Sequence, residues 1–119
     1  MITNEKIAFV YVRNVFAGIL KETDEGYSFK YDDDYLNNES STPVSLTLPL
    51  RKEEFKSKVL FSFFDGLIPE GYLFDVAIKN WKLNYNDRFE VLLLTSKDTI
   101  GNVTLKEYKS WSVYIAIKT

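Results

Sequence analysis

The stretch Ile7-Ala8-Phe9-Val10-Tyr11-Val12-Arg13-Asn14-Val15-Phe16-Ala17-Gly18-Ile19-Leu20-Lys21-Glu22-Thr23-Asp24-Glu25-Gly26-Tyr27-Ser28-Phe29-Lys30-Tyr31 decides the fold. Residues 7–12 are rich in β-branched and aromatic side chains and run into Arg13-Asn14-Val15, which suits a turn. Residues 16–21 return as a second strand. After the Thr23-Asp24-Glu25-Gly26 turn, Tyr27, Phe29 and Tyr31 alternate with Ser28 and Lys30, which marks a third. The chain therefore opens with an antiparallel meander.

Beyond the meander, Asp32-Asp33-Asp34-Tyr35-Leu36-Asn37-Asn38 reads as a loop or single helical turn with its acidic residues at the N-terminal end, where the helix dipole favours them. Ser40-Ser41-Thr42-Pro43 is a break. In residues 44–50, Val44, Leu46, Leu48 and Leu50 alternate on one face, which predicts a strand whose end or edge is marked by Pro49. Leu73, Val76, Ala77 and Trp81 fall at helical spacing after Gly71, with Phe74 and Ile78 on a neighbouring stripe. Asp87 is placed as N-cap of a second helix carrying Phe89, Val91, Leu92, Leu93 and Leu94, an apolar set that predicts burial; Ser96-Lys97-Asp98 ends it. Residues 99–105 and 110–117 read as two further strands. The expected architecture is α+β, a curved antiparallel sheet of about five or six strands with two main helices, as one domain over residues 1–119.

Composition excludes several function classes. A 119-residue chain with 45% hydrophobic and 16% aromatic residues is long enough to bury one core without staples. Its formal charge of -2 supplies no broad basic field for nucleic acid or anionic membrane. The chain has no cysteine and no histidine, so disulfides, thiolate metal sites and histidine-based triads are ruled out. No apolar run approaches membrane-spanning length, and the absence of an N-terminal apolar signal region favours the cytoplasm. The sequons at Asn38 and Asn102 are then chance matches.

Leu60-Phe61-Ser62-Phe63-Phe64-Asp65-Gly66-Leu67-Ile68-Pro69-Glu70-Gly71 packs six large apolar residues between turn formers rather than on one periodic face. Gly66 and Gly71 are free to take positive φ and Pro69 fixes its own, so the segment is expected to bend and to present apolar side chains from a rigid frame. Some of these side chains belong to a core and others to a partner-facing surface. Two patterns imitate kinase chemistry: Asp33 and Asn38 have catalytic-loop spacing, and Phe64-Asp65-Gly66 permutes a metal-binding motif. The first lacks its His-Arg, the second has the wrong order, and neither a Gly-rich phosphate loop nor an anchoring Lys accompanies them. A small enzyme using Asp32, Asp33, Asp34, Asp65 or Glu70 lacks a complementary nucleophile or cradle, and no calcium-loop Gly or Glu completes the Asp run. No cofactor or metal is implied.

Pro43-Val44-Ser45-Leu46-Thr47-Leu48-Pro49-Leu50, then residues 60–70, then Asp98-Thr99-Ile100-Gly101-Asn102-Val103-Thr104-Leu105 resemble, in order, successive signatures of the N-terminal subdomain of HipA-type toxin kinases. Tyr11-Val12 with Ala17-Gly18, Phe29-Lys30-Tyr31 and Tyr35-Leu36 add to the resemblance, which spans almost the whole chain. HipA-type proteins continue into a kinase lobe that this chain lacks. The resemblance therefore implies the stand-alone, HipS-like form of tripartite toxin-antitoxin systems. Such a protein is a non-enzymatic antitoxin that binds and inhibits a separate, shortened HipA-like kinase, HipT, alongside a DNA-binding HipB-like protein reached through the kinase. The Met1 start and the strand-like 110–117 segment predict a complete gene product. The alternative is a detached N-terminal subdomain of a full-length toxin, acting in cis. The partner-binding residues expected are Phe63, Phe64, Asp65, Leu67, Ile68, Pro69, Glu70 and Tyr72. Two departures from the family pattern are Ser96-Lys97-Asp98 in place of Gly-Arg-Asp, and Tyr72 where stand-alone members tend to place Trp. Tyr keeps a large amphipathic ring suited to an interface anchor.

Overall fold

A computed structural model describes residues 6–68, 88–95 and 102–108. The meander forms β1 (Lys6–Val12), β2 (Val15–Thr23) and β3 (Gly26–Tyr31), each antiparallel to the next. Arg13 and Asn14 alone make the first turn, and both take positive φ (49° and 67°), the requirement of a type I′ hairpin whose twist matches its strands. Val15 belongs to the strand rather than to the turn. Val10 pairs with Gly18 but Tyr11 with Phe16, so Ala17 is the extra residue of a β-bulge. Its carbonyl accepts the Asp32 N–H at 2.8 Å, extending the ladder to the start of α1 (Asp33–Asn37), the expected single turn.

Two glycines in the meander are required by close approach. A Cβ on Gly18 would lie 2.4 Å from the Lys30 carbonyl oxygen, and one on Gly26, where φ is +134°, would lie 2.5 Å from that of Ser57.

The sheet is completed by β4 (Phe55–Ser57) beside β3 and β5 (Val103–Tyr108) beside β1, giving the order β4-β3-β2-β1-β5. Five antiparallel strands with helices bear out the expected class among the described residues. The fifth runs to Tyr108, past the expected end at Leu105. The helix expected after Gly71, the expected Asp87 cap, the expected stop at Ser96-Lys97-Asp98 and the strand expected over 110–117 fall outside the described residues.

Residues 44–50 do not form the expected strand. Leu48 N–H donates to the Ser45 carbonyl at 3.0 Å, closing a tight turn with a single bridge between Ser45 and Leu48. Thr47 N–H donates to Ser45 Oγ at 3.2 Å, and the Ser45 and Thr47 hydroxyls lie 3.0 Å apart. Ser and Thr side chains compete here with a sheet ladder, and flanking Pro43 and Pro49 cannot donate to one. The chain reversal points Val44 and Leu48 inward but leaves Leu46 outside. β4, three residues long, was not anticipated; alternation over Phe55-Lys56-Ser57 is too short to register as a period.

The core lies on one face of the sheet. Ala8, Val10, Leu20, Phe29 and Tyr31 are buried there with Phe55 and Leu105. Phe89, Leu92 and Leu93 of the helix Arg88–Thr95 close over them, as the apolar reading of that segment requires. Phe29 is the hub: its ring centroid lies 4.9 Å from Tyr31, 6.3 Å from Phe55 and 5.6 Å from Phe64. Full burial of a side chain this size contributes roughly 1.5–3 kcal/mol. The opposite face carries half-buried Phe9, Tyr11 and Phe16 in edge-on contact.

A candidate partner-binding surface

The apolar segment of residues 60–68 is organised around the one-turn helix α2 (Ser62–Asp65); the helix Arg88–Thr95 is α3. Asp65 N–H donates to the Phe61 carbonyl at 3.0 Å, Gly66 to Ser62 at 2.9 Å, Leu67 to Phe64 at 3.1 Å and Ile68 to Asp65 at 3.2 Å. Each successive N–H from Asp65 to Ile68 is thus satisfied within the segment. Gly66 stays right-handed, with φ −70°, and does not use its left-handed freedom; the bend comes from the tightening of the helical turn instead.

The structure separates the expected partner-binding residues by role. Phe64 is 0% exposed, its ring 5.3 Å from Phe63 and 6.3 Å from Phe61, so it anchors the segment and offers no surface. Asp65 accepts a hydrogen bond from Arg88 Nε at 2.7 Å, which ties α2 to the start of α3. Phe63, Leu67 and Ile68 pack against the core while remaining partly exposed. Pro69, Glu70 and Tyr72 lie outside the described residues.

The kinase-like patterns have structural roles. In Phe64-Asp65-Gly66 the Phe is core, the carboxylate is paired with Arg88 and the Gly is helical. Asp32 precedes α1, its carbonyl accepting the Leu36 N–H at 3.0 Å, and Asp33 and Asp34 occupy the first turn. Among the described residues no group of three or more acidic side chains is arranged to hold a metal ion. An open groove of about 460 Å³ is lined by Lys21, Lys56 and Lys58 with Glu25 and Glu54, and a second of about 250 Å³ by Arg13, Tyr35 and Asn38. Among the described residues no helix is long and apolar enough to cross a membrane. Phe63, Leu67 and Ile68 give this surface partly exposed apolar area.

Sequence reasoning missed the loop over residues 42–48. The Tyr31 hydroxyl accepts the Val44 N–H at 2.8 Å and donates to the Leu48 carbonyl, while the Tyr35 hydroxyl accepts the Thr42 N–H at 3.2 Å and donates to the Thr42 carbonyl. The signal present was Ser-x-Thr between two prolines, the composition of a side-chain-stapled turn.

Comparison with known proteins agrees with this geometry. The profile of the HipA N-terminal domain family matches residues 8–106. An uncharacterized protein of Haemophilus influenzae (strain ATCC 51907 / DSM 11121 / KW20 / Rd) is 32% identical over 100 residues, which make up 84% of this chain and 91% of that protein. The solved N-terminal domain of HipA toxin superposes with a TM-score of 0.70 at 28% identity, covering 88% of this chain and 94% of that one. The meander, the five-stranded order and the match over most of its length establish that this chain belongs to the HipA N-terminal domain family.

Proposed function

We propose that this protein is a non-enzymatic, HipS-like antitoxin of a tripartite toxin-antitoxin system. It acts by binding a separate, shortened HipA-type serine/threonine kinase, HipT-like, and inhibiting it. The observation that carries this reading is that the matched region makes up 91% of the Haemophilus influenzae relative, so the domain occurs there as almost an entire protein without a kinase lobe. The surface supports it too: Phe63, Leu67 and Ile68 are presented on a frame fixed by Phe64 and the Asp65–Arg88 pair. Residues 1–119 fold as one independent domain in this reading, in the cytoplasm, and reach a HipB-like DNA-binding protein through the kinase.

Inhibition requires only that the chain bind an inactive state of the kinase more tightly than the active one, or that it cover a substrate site. The test is the dissociation constant for the cognate shortened kinase. Tight 1:1 binding, weakened by Ile68→Ala or Tyr72→Ala with little loss of melting temperature, is expected. No binding would leave a detached toxin subdomain acting in cis as the better reading.

A further inference from the structure

We infer that Leu46 is a preformed contact residue that inserts into an apolar socket on a folded protein partner, the kinase of the reading above, on which this inference rests. Leu46 is 96% exposed at the tip of the Ser45–Leu48 turn, while Val44 and Leu48 on either side are buried. An isolated exposed leucine is ordinary on a protein surface. This one is held in place.

The Ser45 and Thr47 side chains and the Leu48 N–H fix the turn itself. Below it, the Tyr31 hydroxyl bridges Val44 and Leu48, and that of Tyr35 binds Thr42. The two tyrosine rings stack with centroids 6.1 Å apart and planes 3° from parallel. Ordering a loop opposes binding; here the ordering is already complete before a partner arrives.

The chemistry of the tip selects its occupant. The bonded Ser45 carbonyl and the Thr47 and Leu48 N–H groups are turned inward, which disfavours recognition by strand addition. Residues 44–49 carry no charge, so the tip has no grip on phosphate. One leucine on a narrow turn gives a lipid surface too little apolar area for stable attachment. A hole in a folded protein surface fits a single rigid aliphatic side chain. Val44 and Leu48 share one core with Leu60 and Phe64, so the tip and α2 are braced on the same body.

The experiment measures the affinity of the full chain and of Leu46→Ser for the cognate shortened kinase, with melting temperature, sedimentation and binding to anionic lipid vesicles as parallel readouts. Exposure of Leu46 means that the variant folds; its melting temperature is expected to stay unchanged while affinity falls about tenfold or more. Equal affinity of the two chains, when Ile68→Ala weakens binding, overturns the role of Leu46 and leaves the antitoxin reading standing. Failure of the unaltered chain to bind overturns both. Loss of self-association or of vesicle binding in Leu46→Ser, with kinase affinity unchanged, assigns the tip to a second copy or to lipid and overturns the inference.

Discussion

Arg88 Nε lies 2.7 Å from Asp65 Oδ1, joining the end of α2 to the first residue of α3 across 23 positions of sequence. Both side chains are more than a third exposed, so solvent screens the pair and its function is positional. Asp65→Ala and Arg88→Ala should each cost at most about 1 kcal/mol, and the double variant should cost less than their sum. Urea unfolding of the three variants checks this; a loss of several kcal/mol from either single change would place the pair among the main supports of the fold.

Phe64 and Ile68 should behave oppositely. Phe64 is fully buried against Phe29, and Phe64→Ala should destabilise the protein by about 3–5 kcal/mol. Ile68 is only partly buried, so Ile68→Ala should cost much less stability and act mainly on kinase binding. Melting curves and binding isotherms for the pair separate anchor from contact; matching losses in both assays would place Ile68 in the core as well.

Gly18 is fixed by contact rather than by an unusual φ. A methyl group there meets the Lys30 carbonyl oxygen and the Phe29 ring, both on β3. Gly18→Ala should therefore push β2 from β3 and cost about 1–3 kcal/mol, despite the entropic benefit that alanine usually brings. An unchanged or raised melting temperature would contradict this placement of the strands.

Tyr31 makes stability fall in alkali. Burial raises its hydroxyl above the ordinary 10.0, the Val44 N–H partly offsets the rise, and neighbouring Tyr35 adds to it. The folded protein thus holds this proton more tightly than the unfolded chain does. Its contribution is complete below pH 10 and is lost as pH climbs through the raised folded value, when the hydroxyl can no longer donate to Leu48. The stability difference between the unaltered chain and Tyr31→Phe should shrink from pH 8 to above 10; a constant difference would mean that the hydroxyl does not titrate with unfolding.

The meander was legible because the β-branched and aromatic runs, the turn formers between them and the alternation after Gly26 all point the same way, though Val15, expected in the turn, belongs to the strand. The apolar run Phe89 to Leu93 announced a buried helix for a similar reason. Residues 44–50 misled because their alternation is real but their backbone is claimed by Ser45, Thr47 and two tyrosine hydroxyls distant in sequence. In the candidate site, the bend and apolar character of residues 60–68 were readable. The withdrawal of Phe64 and the engagement of Asp65 with Arg88 were not, since both depend on tertiary neighbours that no local period reports.

The most direct measurement is the rate of autophosphorylation and substrate phosphorylation by the cognate shortened kinase as this chain is titrated to equimolar amount. The account predicts that activity falls to background near a 1:1 ratio and that Ile68→Ala restores it. Unchanged or raised activity in the saturated complex would contradict the antitoxin role and make the protein an inert or activating subunit.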